Sequence, residues 1–261
     1  MAVTNFIQQI WSKKIQDDLE LKCKLVDNCL RDYEGDCKYA QSVKILGVGE
    51  PTIGAYDGTK DITIEDMSDR GQILTIDQAN YFAFYVDDID QAQSVPGLKE
   101  KYQEKAVHGL AVARDTYVAT LIAAANNATP IEAMTEEGVK KAVDAAIVAL
   151  RERNFDEDGV IEMTPAFYNL FKNHLITLST NNPELIKKGV VGMYDNFECI
   201  MSNNLKTPCD IRGKKAIAFA GQINEVEALR AEKRFKDIVR GLDTFGAKII
   251  DEARIQKLTA A

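Results

Sequence analysis

The chain holds one tryptophan (Trp11), two histidines, six prolines and five cysteines among its 261 residues, and each scarcity removes a class of protein. No stretch approaches the roughly 18 consecutive apolar residues of a membrane-spanning helix. The first twenty residues mix apolar side chains with Gln, Lys and Asp and lack the apolar core of a secretory signal. An odd, irregularly spaced set of cysteines is no disulfide framework and predicts a soluble protein of a reducing cytosol. Cys23, Cys29 and Cys37 stand six and eight positions apart, and Cys199 and Cys209 ten apart, unlike the short gaps between zinc ligands. The prolines mark no long linker, and no internal repeat is present. Basic residues are in deficit: 32 Lys plus Arg against 40 Asp plus Glu leave a net charge of −8, which argues against a sequence-specific nucleic-acid binder.

What is present reads as a folded α+β chain. Hydrophobic residues make up 46% and charged residues 28%, enough for a sizeable core in one large domain or two smaller ones. Ile7, Ile10, Trp11, Ile15, Leu19, Val26 and Leu30 fall on one helical face and predict a helix from about Asn5 to Asp32. Strands are expected at Ser42–Val48, Ile62–Ile64, Ile73–Ile76 and Tyr81–Val86. Between the first and third of these, Gly49–Gln72 is rich in turn residues and predicts a long projecting β-hairpin. Its six acidic residues (Glu50, Asp57, Asp61, Glu65, Asp66, Asp69) against Lys60 and Arg70 give −4, half the net charge of the chain. Leu98, Tyr102, Ala106, Leu110, Ala113, Tyr117, Leu121 and Ala124 then predict a spine helix to about Asn126. A mixed α/β subdomain follows at about 130–225. In it Thr135 caps a helix to Arg153, Val160–Met163 is a strand, and Thr164-Pro165 opens a helix to Leu178. Strands near Glu198–Ser202 and Lys215–Phe219 come next. Glu227–Ile250 is ambiguous, with Phe245–Ile250 favouring strand, and the C-terminus is expected to return to the first subdomain.

No catalytic constellation emerges. His108 and His174 lie in helices outside any nucleophile-elbow or zinc-helix pattern. The acidic knots Asp87, Asp88, Asp90 and Asp156, Glu157, Asp158 lack the spacing of a calcium loop. Gly47-Val48-Gly49 lacks the third glycine of a dinucleotide site, and Gly189–Gly192 lacks the Lys-Ser or Lys-Thr of a P-loop. The expectation is no catalytic residue, no cofactor and no metal.

Three stretches and their order carry a resemblance. They are TIDQANYFAFYVDDIDQAQ (Thr75–Gln93) ahead of a long helix with Leu110-Ala111 and Asp115, then GVVGMYDNFECIMSNNL (Gly189–Leu205), then FKDIVRGLDTFGAKII (Phe235–Ile250). Over nearly its whole length the chain resembles the major capsid protein of tailed bacteriophages, the HK-ninety-seven-type fold. The resemblance implies an N-terminal arm at 1–41, an E-loop hairpin with flanking strands at 42–80 and a P-domain with its spine helix at 81–130. It further implies an A-domain at 131–225 and a return to the P-domain at 226–261. The implied function is a structural subunit that self-assembles into hexamers and pentamers of an icosahedral head around double-stranded DNA, located in the virion and assembled in the bacterial cytoplasm. Some members carry a cleavable scaffolding region ahead of the arm; here the arm stands at the start, so any scaffold is expected to be a separate protein or the chain to be a processed form, Met1 favouring the former, with portal and decoration proteins as further expected partners. No lysine–asparagine cross-linking pair is identifiable. In the family the E-loop lies over a neighbouring P-domain. Ala228–Arg240 carries five basic residues against Glu232 and Asp237, a net of +3. The expected inter-subunit contacts are therefore Trp11, Asp57, Asp61, Glu65, Asp66, Arg230, Lys233 and Arg234. An encapsulin-like nanocompartment shell and, from another class, a cytosolic α/β enzyme are the alternatives.

Overall fold

A computed structural model describes residues 23–33, 42–45, 71–87, 98–178, 192–230 and 236–260. In chain order the elements are β1 (Ser42–Ile45), β2 (Gln72–Thr75), β3 (Gln78–Asp87), α1 (Leu98–Ala124), β4 (Ala128–Ile131), α2 (Glu136–Arg151), β5 (Gly159–Met163), α3 (Pro165–Leu178), β6 (Met193–Tyr194), β7 (Phe197–Met201), β8 (Cys209–Gly213), β9 (Ile217–Arg230), β10 (Lys236–Ile249) and β11 (Ile255–Ala260). The strands form a two-stranded sheet β1-β2, a three-stranded sheet β3-β10-β9 and a six-stranded sheet β4-β11-β8-β5-β7-β6.

The spine helix α1 has 27 residues and at about 1.5 Å per residue runs roughly 40 Å. Its buried stripe is Val107, Leu110, Ala111, Arg114, Asp115, Val118, Ala119 and Ile122. This corrects the face expected from sequence, since Ala113, Tyr117 and Leu121 are only half-buried. The inward face carries two charged side chains, so hydrophobic periodicity alone points to the neighbouring stripe. The helix ends where Glu252 Oε1 accepts from the backbone N–H of Asn126 at 2.6 Å and from its side-chain amide at 2.8 Å.

The six-stranded sheet is covered on one face by α2 and α3. Thr135 caps α2, its Oγ1 accepting from the N–H of Gly138 at 3.2 Å, and Val139, Ala142, Val143, Ala146, Ile147 and Leu150 form its buried stripe. Phe167, Phe171 and Leu175 of α3 join them over Ile131, Ile161, Met163, Cys209, Ile211 and Leu258. Thr164 precedes α3 as expected, and its hydroxyl donates to the carbonyl of Pro208 at 3.0 Å. β5 and β8 are buried at every position, as central strands covered on both faces must be.

β9 and β10 pair antiparallel with 14 residues each, which resolves 227–230 and 236–249 of the ambiguous stretch as strand. β10 also pairs with β3, from Lys236 opposite Asp87 to Phe245 opposite Gln78. The last strand then crosses to the six-stranded sheet, between β4 and β8, so residues 226–261 divide between the two sheets rather than returning wholly to the first subdomain. β1 and β2 pair antiparallel with Ile45 opposite Gln72, so the two limbs of the expected hairpin start side by side. Strand Ile62–Ile64 and residues 49–70 lie outside the described residues. Gly246 lets β2 approach β10, because a Cβ there would sit 2.1 Å from the carbonyl oxygen of Thr75.

The expected helix Asn5–Asp32 lies outside the described residues up to position 22. Its described part is a correction: 23–33 holds only a 3-10 turn at Val26–Asn28, followed by a β-bridge from Leu30 to Ala218. The backbone groups a helix would pair internally are taken by buried side chains of other elements, as follows.

Candidate inter-subunit surfaces and the buried fastenings behind them

Three buried ionic groups tie the segment 23–33, α1 and the sheets together. Asp115 of α1 accepts the backbone N–H groups of Lys24 and Leu25 at 3.1 Å and of Val26 at 3.3 Å, and the side-chain amide of Asn204 at 3.3 Å. Burial raises its pKa while these four donors oppose the rise. Arg114, one residue earlier, reaches the other way to Asp243 of β10, with contacts of 3.0 and 2.5 Å. Its guanidinium also lies 5.6 and 5.8 Å from the ring centroids of Phe219 and Phe245, within cation–π range. Arg212 of β8 makes a two-contact bridge to Glu162 of β5, both with no solvent exposure, and donates to the carbonyls of Asn28 and Leu25 at 2.8 and 2.7 Å. Adjacent residues of one helix therefore grip opposite sides of the core.

Three of the four described cysteines are core thiols. Cys23, Cys29 and Cys209 are buried. Burial first, then the charge of Asp115, pushes the Cys23 thiol up to about 12; burial pushes Cys29 to about 11 despite the neighbouring Arg212. Such thiols are poor nucleophiles and metal ligands. His108 is exposed and His174 half-buried on their helices. The knot at 156–158 is a turn in which Glu157 pairs with Arg254 at 2.7 Å. Among the described residues no group of three His, Cys, Asp or Glu side chains is placed to hold a metal. A dent of about 80 Å³ lined by Arg151, Phe155, Asp156, Glu157, Asn196 and Phe197 is far below the size of small-molecule sites.

The charged contact candidates fall elsewhere. Trp11, Asp57, Asp61, Glu65, Asp66, Lys233 and Arg234 lie outside the described residues, and Arg230 closes β9 opposite Asp237. The structure adds a surface that sequence reasoning missed. On the three-stranded sheet, Phe82, Phe84, Val239 and Phe245 turn toward α1, while the opposite face shows Tyr81 80% exposed, Tyr85 67% and Leu242 40%. Tyr81 stands directly across from Leu242, and Tyr85 from Ile238. A sheet with one wet face ordinarily alternates apolar with polar; clustered exposed apolar side chains mark contact surfaces. The signal was available: Tyr81 to Val86 contains no charged or amide side chain, the composition of a strand meant to be covered on both faces. No helix of the described residues is long and apolar enough to cross a membrane.

No protein-family model matches the sequence, and no curated protein matches it. Solved structures do. The chain is similar to a structure from Mycobacterium phage Che8, at 23% identity and a TM-score of 0.75, covering 90% of both chains. It is similar to the capsid structure of the cyanophage P-SCSP1u at 16% identity and a TM-score of 0.74, covering 89% of this chain and 86% of that one. A virus-like particle from Pyrococcus furiosus matches at 14% identity and a TM-score of 0.60, over 97% of this chain and 99% of that one. The fold expected from sequence, that of tailed-phage capsid proteins, is the fold of this chain.

Proposed function

We propose that this chain is the major capsid protein of a tailed phage or prophage, a subunit that closes into an icosahedral head around double-stranded DNA. The observation that carries the reading is the match along about nine-tenths of both chains to a phage capsid structure. An interior built of buried ionic fastenings, with an apolar patch turned outward, supports it: the chemistry lies in holding a shape and presenting surfaces. A net charge of −8 suits a shell that encloses DNA without binding its sequence.

A closed shell needs one subunit to make several different contacts. The arm at 1–41 and the hairpin between β1 and β2 supply the reaching elements. The E-loop, P-domain and A-domain assignments of 42–80, 81–130 and 131–225 follow the same reading, with 226–261 shared as described. Asp57, Asp61, Glu65 and Asp66 then meet Arg230, Lys233 and Arg234 of a neighbouring subunit, and the Tyr81–Tyr85 face lies in an inter-subunit contact. Scaffolding, portal and decoration proteins are the expected further partners, and the mature location is the virion.

Electron microscopy of the purified chain, alone and with a co-expressed scaffold, tests the proposal. Closed shells are expected; a small soluble oligomer under every condition overturns it. The near end-to-end match to a virus-like particle favours one second reading, an encapsulin-like compartment around protein cargo. Nucleic acid inside particles purified from the native source separates the two.

A further inference from the structure

The face of the six-stranded sheet turned away from α2 and α3 carries an unpaired acid. β5 and β8 set Glu162 directly opposite Asp210 and Val160 opposite Arg212; Glu162, Asp210 and Arg212 all have 0% exposure. A guanidinium has five N–H donors, and Arg212 commits all of its directions. Nε and Nη2 go to Glu162, Nη2 also to the carbonyl of Leu25, and Nη1 to the carbonyl of Asn28 and the sulfur of Cys29. Nothing is left for Asp210, and among the described residues neither of its carboxyl oxygens meets a donor. The one positive charge of Arg212 is already matched by Glu162, so an ionised Asp210 would be an uncompensated buried charge, which proteins avoid by neutralising the group.

We propose that Asp210 is held as a neutral carboxylic acid that donates its proton to Glu162. This shared proton keeps Arg212 on the carbonyls of Leu25 and Asn28 and makes the fastening of the 23–33 segment proton-dependent. Among the described residues, the remaining groups facing the site are committed elsewhere. Lys257 of β11 stands opposite Asp210 in the ladder, but its Nζ donates to the carbonyl of Ala123 at 2.7 Å. Asp115 of α1 is taken by the backbone of 24–26 and Asn204. Glu198 of β7 pairs with Lys214 at 3.1 Å. Cys29 and Cys209 are thiols whose pKa burial raises. Burial, then the charge of Glu162, lifts Asp210 well above the carboxylate range, against the pull of Arg212. Loss of the proton forces a choice: Arg212 divides between two carboxylates and releases the carbonyls of Leu25 and Asn28, or Lys257 leaves the end of α1.

The sign of the pH effect follows. With its folded pKa raised, Asp210 binds more proton in the folded state than in the unfolded one, so stability falls as pH rises from the ordinary aspartate range to the folded pKa and then levels. Asp210→Asn keeps the neutral shape and an N–H for Glu162. Chemical unfolding of the full chain should show the unfolding constant of the natural protein rising relative to Asp210→Asn by up to about tenfold per pH unit across that window. Hydrogen exchange of the 23–33 backbone, expressed as protection factors, should weaken with rising pH in the natural chain and hold in the variant. A pH-independent gap between the two proteins, or protection of 23–33 that differs equally at all pH values, overturns the proposal. Should Asp210→Asn fail to fold, a constant protection factor in the natural chain over the same range does so. The inference stands independently of the shell reading.

Discussion

Removing Asp243 should be among the most damaging single changes to this chain. Its carboxylate has no exposure, its partner Arg114 has 4%, and two contacts join them. Asp243→Ala leaves a guanidinium in an apolar wall made by Phe219 and Phe245. The cost is that of an uncompensated buried charge, about 3–5 kcal/mol, against a total stability of about 5–15 kcal/mol. The two rings do not rescue it, since a desolvated cation–π contact contributes only about 2 kcal/mol and is already present in the natural protein. Arg114→Met in the same chain should recover much of the loss, because an apolar pair of similar volume is often as stable as a buried ion pair. The assay is denaturant unfolding of the purified chain followed by circular dichroism, for both single variants and the double. A coupling energy of about 2–3 kcal/mol is expected between the sites. A loss below about 1 kcal/mol for Asp243→Ala, or losses that simply add, would refute the claim that these groups act as a buried pair.

Other perturbations follow from the same structure. Gly246→Val drives a side chain into the Thr75 carbonyl and should cost at least about 1–3 kcal/mol, with the β1–β2 pair the first region to lose hydrogen-exchange protection. Thr135→Ala removes the cap of α2 and should cost about 1 kcal/mol with no change in the unfolding slope. At neutral pH a thiol reagent should leave Cys23, Cys29 and Cys209 unmodified in the folded chain and label them in urea; labelling of Cys23 under native conditions would contradict its burial. Asp61 and Glu65 changed to Lys should block assembly, and Arg230 and Arg234 changed to Glu in the same chain should partly restore it, as judged by particle counts. Equal failure of both would separate these segments in the shell.

Elements whose chemistry is local were readable in the chain. Thr135 before an apolar stripe marked α2, and Pro165 after Thr164 marked α3, because caps and periodicity need no distant partner. α1 was placed within two residues of its end but rotated, since Arg114 and Asp115 face inward only because Asp243 and the 24–26 backbone await them. β8, which alternates the charged Asp210 and Arg212 with apolar residues, and β4, which contains Pro130, were not among the expected strands. The described part of the arm failed as a helix for a related reason: its N–H and carbonyl groups are claimed by Asp115 and Arg212 from far along the chain. The charged residues expected at contacts lie, apart from Arg230, outside the described residues, and the Tyr81–Tyr85 face was overlooked because both sides of the strand are apolar.

The position of β11 between β4 and β8 constrains how the folded chain comes into being. As the polypeptide leaves the ribosome, β4, β5, β7 and β8 are all made before residues 255–260. Until those residues emerge, β4 and β8 each face an empty slot with exposed pairing edges, the kind of edge that recruits other strands. Closure of that slot joins residues more than a hundred positions apart, Leu258 to Thr129, a non-local step of the sort that slows folding. The six-stranded sheet is therefore complete only once synthesis has passed this strand, and until then β4 and β8 stay open to pairing with other strands.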